Sequence, residues 1–301
     1  MSLLAGVELG GTKCVCVLGS DPENLQAHVQ IPTTTPEETL GKIEAVLAGW
    51  AATRGKVRAL GIACFGPLEL TPGAPRYGQV LSTPKPGWSH TEVAARLGRG
   101  LGVPVGFNTD VNGAACAEGR WGAGRGLPSL VYITVGTGVG AGVLVQGRPL
   151  LGFSHPELGH MRVPRMPGDT WPGSCPYHGD CVEGLASGPA IAIRAGKPAG
   201  ELSGDEPVWG TVAFALGQLL SNLVLAFAPH RILLGGGVMG ARPALIPQLR
   251  RELAASLNGY IEARQLTSDL DSYVVSPGLG ALAGPLGALA LAADALDGPV
   301  S

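Results

Sequence analysis

Residues 3–18 read LLAGVELGGTKCVCVL. An apolar run, Leu3 to Leu9, ends in Gly10-Gly11-Thr12-Lys13, and a second apolar run, Cys14 to Leu18, follows at once. The pattern predicts two strands joined by a tight glycine turn, with bare backbone N–H groups and a threonine hydroxyl at the bend. Such a bend is either a plain hairpin turn or a cradle for phosphate, since glycines let backbone donors approach an anion. It is not a Walker A motif, which has four residues between its glycines. The same pattern returns at residues 130–145, LVYITVGTGVGAGVLV, as Leu130 to Val135, then Gly136-Thr137-Gly138-Val139-Gly140, then Ala141 to Val145. The recurrence implies two related α/β halves facing each other across a cleft, each offering a phosphate-holding hairpin. The G-x-G starting at Gly138 is a weak Rossmann signal, because strands flank it on both sides.

Working outward, Thr33-Thr34-Thr35-Pro36-Glu37-Glu38 supplies an N-cap, a first-turn proline and acidic residues, predicting a helix to about Ala52. Val57 to Cys64 and Val103 to Phe107 read as strands, and His90 to Gly100 as a helix after the loop GQVLSTPKPGW at residues 78–88. The second of these strands runs into Asn108-Thr109-Asp110, just before an Ala-rich helix, Ala114 to Trp121. Asp110 therefore either caps that helix or supplies a carboxylate where open α/β sheets place chemistry. Later, Val208 to Ala226 reads as a buried helix, and Arg231 to Leu234 as a strand opening into Gly235-Gly236-Gly237. Three glycines there leave a surface that a flat or bulky group could approach. Helices at 244–257 and 284–295 and a strand at Tyr273 to Val275 complete the chain.

Between the second hairpin and the long helix lies SHPELGHMRVPRMPGDTWPGSCPYHGDCVEG, residues 154–184. Cys175, His178 and Cys181 stand three apart, with His160 fifteen residues upstream. Two thiolates and two imidazoles can close a tetrahedral shell around Zn²⁺, and four protein ligands make such a site structural rather than catalytic. The polar neighbours Glu157 and Glu183 then become groups that the metal positions.

The chain has 301 residues, 45% of them hydrophobic and 15% charged, and a net charge of -2. That length allows two domains with extensive cores, and the charge balance argues against a nucleic-acid binder. The 48 glycines and 25 prolines follow no G-X-Y period, so they mark turns and close approaches rather than low complexity. Cys14, Cys16, Cys64 and Cys116 sit among apolar or small residues as small hydrophobes. No basic leader with an apolar core opens the sequence, so the expected compartment is a reducing cytoplasm. The apolar run from Val208 carries Gln218, Ser221 and Asn222 and meets Pro229, which favours a core helix over a membrane span.

These residues together resemble the ROK (repressor, open reading frame, kinase) group of sugar kinases, essentially end to end. Glu8 to Lys13 resembles the group's first phosphate loop and Thr134 to Gly138 the second; Leu234 to Val238 resembles the adenosine contact, and His155 to His160 with Cys175 to Glu183 the signature. The departures are Glu8 for the usual Asp, Thr109 for Asn and His178 for a third Cys. They point to the bacterial fructokinase branch, as do residues 33–40 and 82–88. The resemblance implies two related actin-like ATPase (ribonuclease H-like) domains flanking a cleft. Residues 1–112 form the first, with a helix at about 281–297 packing back on it, and residues 113–280 form the second.

The resemblance implies further that ATP phosphorylates fructose to fructose 6-phosphate, with Asp110 as general base. Thr109, Glu157, His160 and Glu183 would hold sugar hydroxyls, and His160, Cys175, His178 and Cys181 a structural Zn²⁺. Gly10, Gly11, Thr12, Lys13, Gly136, Thr137, Gly138, Pro189, Gly235, Gly236 and Gly237 would bind ATP with Mg²⁺. The implied partners are a hexose, ATP and a second copy of the chain in a homodimer, with no nucleic acid and no membrane. A kinase for glucose, mannose or N-acylmannosamine is the alternative. A sugar-responsive regulator of the same group would need a helix-turn-helix domain ahead of the first loop, which begins only a few residues from Met1.

Overall fold

The computed structural model describes residues 2–298. In chain order the elements are β1 (Leu4–Leu9), β2 (Lys13–Gly19), β3 (Leu25–Pro32), α1 (Pro36–Thr53), β4 (Ala59–Cys64), α2 (Ala94–Leu101), β5 (Val105–Thr109) and α3 (Asp110–Trp121). There follow β6 (Ser129–Val135), β7 (Val139–Val145), β8 (Arg148–Pro149), α4 (Val182–Ala186), α5 (Gly188–Ala195), α6 (Val208–Phe227), β9 (Ile232–Gly235) and α7 (Gly237–Ala241). The chain closes with α8 (Ile246–Leu257), α9 (Arg264–Thr267), α10 (Leu270–Tyr273), β10 (Val274–Val275) and α11 (Ala283–Asp297).

Two five-stranded sheets result, ordered β3-β2-β1-β4-β5 and β10-β9-β6-β7-β8. In the first, β1 pairs antiparallel with β2 and parallel with β4; in the second, β6 pairs antiparallel with β7 and parallel with β9. The second order is the first read backwards, so the hairpin repeat seen in the sequence extends to whole sheets. Two compact units contain them: the chain through Gly126 with Gly147–Pro156 and the chain from Ala281, and Leu127–Gln146 with Glu157–Gly280.

In the first unit α11 lies directly on strands β1, β4 and β5 because Gly6, Gly61 and Gly106 stand side by side across them. A Cβ on Gly61 would come within 1.8 Å of the Ala288 carbonyl oxygen. On its other side α11 meets α3 where Gly287 faces Gly113. Small residues throughout α11 make this approach possible, and nine of its residues, from Ala283 to Ala292, are buried. In the second unit α6 packs on α8 and α4, with twelve buried residues along its length. Both α6 and the segment Gly280–Asp297 are long and apolar enough to cross a membrane, and about half of each is buried against sheet and helix neighbours.

Helix α1 begins where the sequence signals place it, with the Thr35 hydroxyl accepting from the Glu38 N–H and Pro36 in the first turn. Two details differ from the sequence reading. Helix α2 starts at Ala94 rather than His90, because His90 adopts a left-handed backbone (φ 61°) and Glu92 instead bridges Gln79. Helix α3 starts at Asp110 rather than Ala114, and Thr109, not Asp110, caps it by accepting from the Asn112 N–H. Strand β3 joins the sheet between the first hairpin and α1, where the alternation of Leu25, Ala27, Val29 and Ile31 carries the period of two that marks a strand.

Candidate functional site

At the β1–β2 turn the Gly10 N–H donates to the Lys13 carbonyl at 3.1 Å, closing the hairpin. A Cβ on Gly10 would lie 2.7 Å from that carbonyl oxygen, so the closure requires glycine; Gly11 faces open space. Gly11, Thr12 and Lys13 are exposed at the tip.

In the second unit the Gly136 N–H donates to the Gly138 carbonyl at 2.8 Å, and the Gly188 N–H donates to the Gly136 carbonyl at 2.7 Å. This sets the first turn of α5, with Pro189 exposed in it, against the hairpin. Gly236 takes φ 88° and passes so close to β6 that a Cβ would sit 2.4 Å from the Val135 carbonyl oxygen. A Cβ built on Gly136 would lie 3.8 Å from the Gly237 nitrogen. Gly136–Gly138, Pro189 and Gly235–Gly237 are thus brought together, and bare backbone is what lets them meet.

Asp110 stands at the first position of α3, its carboxylate accepting from the Val111 N–H at 2.9 Å. Burial pushes its carboxyl up to about 6, against the lowering effect of that bond. The end of β5 is wired to support it: Asn108 Oδ1 accepts from the Thr109 N–H at 2.9 Å and from Asn112 Nδ2 at 2.8 Å. Glu8, near the end of β1, is a second carboxylate, at the start of the first loop. Burial, and then the nearby Asp110 charge, raise it to about 7, opposed by Lys13. Two carboxylates in one neighbourhood share their charge reluctantly. No local signal marks this pair, because strand register brings it together. His155 is also in the first unit, buried, with its Nε2 accepting from the Leu68 N–H at 3.0 Å; burial holds its pKa below the usual range, and the ring acts as a neutral latch.

His160, Cys175, His178 and Cys181 place one ligand atom each within 4.8 Å of one another. His160 Nδ1 is 3.8 Å from Cys175 Sγ and 3.6 Å from Cys181 Sγ, and His178 Nδ1 is 3.7 Å from Cys175 Sγ. A tetrahedral ion with bonds of about 2.0–2.3 Å separates its ligand atoms by roughly 3.3–3.8 Å, so spacing and donor set both fit a metal. Cys175 and Gly179 exchange two backbone hydrogen bonds, of 3.1 and 2.9 Å, and this ring presents His178. Behind it Arg165 bridges Asp180 at 3.1 Å and Asp169 at 2.9 Å. Arg194 of α5 grips Asp169 at 2.8 Å and holds its carboxyl well below the usual carboxylate range.

His160 Nε2, the ring nitrogen facing away from the sulfurs, stands 3.9 Å from Glu183 Oε1. Glu183 Oε2 accepts from the Val139 N–H at 3.1 Å. The half-buried Glu183 thus spans from the histidine to the second hairpin, and a Cβ on Gly138 would lie 2.6 Å from its Oε2. Glu157 is exposed just before His160, whose N–H donates to the Glu157 carbonyl at 3.0 Å.

The ROK family model matches residues 4–295. A fructokinase of Pediococcus pentosaceus is 43% identical over 294 residues, covering 98% of this chain and 99% of its own. A fructokinase of Zymomonas mobilis is 43% identical over 290 residues, covering 95% of each. The crystal structure of a ROK family glucokinase from Streptomyces griseus in complex with glucose and AMPPNP superposes with a TM-score of 0.74 at 26% identity, over 97% of this chain and 100% of that one. With matched sheets, paired glycine hairpins and a family match over nearly its whole length, the chain belongs to the ROK family.

Proposed function

We propose that the chain transfers the terminal phosphoryl group of ATP to the primary hydroxyl of fructose, giving fructose 6-phosphate and ADP. The observation that carries this reading is the 43% identity to a fructokinase over 98% of the chain.

Asp110 takes the proton of the attacking hydroxyl. Phosphoryl transfer is loose and that proton leaves late, so a carboxylate with a pKa of about 6 suffices and charge neutralisation carries most of the acceleration. The hairpin at Gly10–Lys13 and the cluster of Gly136–Gly138, Pro189 and Gly235–Gly237 hold the nucleotide through backbone donors. Mg²⁺ suits the hard oxygen donors of ATP and of the Glu8–Asp110 pair, and when bound it neutralises phosphate charge. Glu157, His160, Glu183 and the Thr109 hydroxyl, which keeps a proton to donate while it caps α3, hold sugar hydroxyls. His160, Cys175, His178 and Cys181 would hold Zn²⁺, which would fix the His160 ring and leave its Nε2 for Glu183 or the sugar. The six free thiols, all buried, suit a reducing cytoplasm, and a homodimer is inferred from the family alone.

The test is a coupled ADP-release assay across fructose, mannose, glucose and N-acetylmannosamine, with and without chelator. Fructose is expected to give the highest kcat/KM; a higher value for any of the other three would replace fructose as the substrate.

A further inference from the structure

Lys85 has no role in the scheme above, yet the segment Ser82 to Trp88 is built to present it. Trp88 is fully buried, its indole N–H donates to the Thr34 carbonyl at 2.9 Å, and its ring meets Phe65 edge-on at 5.2 Å. The Trp88 N–H closes a turn on the Lys85 carbonyl at 3.2 Å. Ser89 Oγ accepts from the Thr83 N–H at 3.1 Å and donates to the Thr83 carbonyl at 3.2 Å. From this pinned loop the Lys85 ammonium crosses to the tip of the first hairpin, where it donates to the Gly11 carbonyl and lies 6.0 Å from the Phe65 ring centre.

That contact completes a pattern. Each of the four turn carbonyls, Gly10 to Lys13, accepts from a donor. The Thr33 hydroxyl donates to the Gly10 carbonyl at 2.8 Å and the Thr33 N–H to that of Thr12 at 3.0 Å. The Gly10 N–H covers Lys13, and Lys85 covers Gly11. Three of the donors are neutral, which is enough to mask a carbonyl. Only the fourth brings a full charge, and it does so at the exposed tip, beside Gly11 where nothing fills the space within 4 Å of a Cβ position. Burial pushes the Cys14 thiol up to about 11, the Thr33 hydroxyl opposes it, and the Lys85 charge adds a smaller lowering effect.

We propose that Lys85 is a catalytic residue of the phosphoryl transfer, its ammonium contacting the terminal phosphoryl oxygens of ATP held at the Gly11–Thr12 tip. As the sugar oxygen bonds to phosphorus, the bond from phosphorus to the bridging oxygen of ADP breaks and the hydroxyl proton passes to Asp110. The Lys85 ammonium neutralises charge on the group in flight. The inference rests on the kinase reading given above.

Three variants separate charge from tether. Lys85→Met loses both, Lys85→Gln keeps an N–H donor, one bond shorter, without the charge, and Lys85→Arg keeps both. Steady-state assays with fructose should show kcat about 100-fold lower for Met and Gln, and at least about 10-fold recovery with Arg. Fructose KM should stay within about twofold. In calorimetric titrations Lys85→Met should bind a non-hydrolysable ATP analogue about 10-fold more weakly and ADP as well as the parent chain does. A Gln variant as active as the parent, or equal losses for ADP and the ATP analogue, overturns the proposal in favour of a tether. A parent chain that does not phosphorylate fructose refutes the kinase reading instead, and the two nucleotide titrations then decide the role of Lys85 independently.

Discussion

The Glu183 carboxylate accepts a hydrogen bond from the Val139 backbone N–H at 3.1 Å. With its other oxygen 3.9 Å from His160 Nε2, this one side chain links the Cys–His cluster to the hairpin that opens β7. The groups of the second unit proposed to meet sugar and nucleotide therefore share a carboxylate, and changes at either end should be felt at the other.

Glu183→Gln keeps the size of the side chain and removes its charge. A hydrogen bond to a charged acceptor contributes about 1.5–3 kcal/mol, so kcat/KM for fructose should fall by roughly 10- to 100-fold. The KM for ATP should rise as well, because the Val139 N–H loses its ionised partner. Initial-rate measurements with each substrate varied in turn check this; an unchanged ATP KM would break the link to the hairpin.

Asp110→Asn should lower kcat by about 100- to 10,000-fold, the usual contribution of a general base, with fructose binding kept by calorimetry. As the proposed base, Asp110 must be ionised, and its carboxyl sits at about 6 beside Glu8 at about 7. Activity should therefore decline as pH falls through 7 and then 6. Stability moves the other way. A carboxyl raised above its unfolded value contributes stability below the unfolded pKa and loses it as pH rises through the folded one. At pH 8 Asp110→Asn should thus raise Tm, by roughly 3–8 °C; a lower Tm would contradict the burial cost assigned to this carboxylate.

Removing the metal should act on sugar binding before chemistry. Elemental analysis of the purified chain should give one zinc per chain, and Cys175→Ser should lose it. Fructose KM is then expected to rise about 10-fold or more, as outer-shell support of His160 is lost, with a smaller change in kcat. A zinc-free variant with the parental KM would show that the cluster does not position His160 and Glu183.

Gly284→Ala tests the setting of Glu8. A Cβ there would lie 2.0 Å from Glu8 Oε1, so the end of the Glu8 side chain must swing aside, and with the gain from replacing a helical glycine by alanine set against that shift, the single variant should be destabilised by about 1 kcal/mol or less. Glu8→Asp shortens the side chain by one methylene and should relieve the clash in the double variant. Denaturant unfolding of the four chains in a double-mutant cycle measures the coupling; additive losses would place Glu8 elsewhere.

Much of this protein was legible without coordinates, and the legible parts have one property in common. Glycine turns between apolar runs, the spacing of Cys175, His178 and Cys181, and the cap at Thr35 are patterns of near neighbours, and local backbone chemistry determines what they form. Strand β3 carried the same kind of signal in Leu25, Ala27, Val29 and Ile31. The start of α2 was less readable, because the left-handed turn at His90 and the bridge from Glu92 to Gln79 depend on a partner thirteen residues away.

Sequence by itself determined that two glycine hairpins recur, that four ligand-type residues cluster, and that the chain resembles a family of sugar kinases. Only the tertiary structure decided that Glu8 neighbours Asp110, that Glu183 binds Val139 and that Lys85 covers Gly11. Each of these pairs joins residues 44 to 102 positions apart. Their proximity follows from strand register and from how closely glycine lets backbones approach, and neither is written in any local stretch of residues.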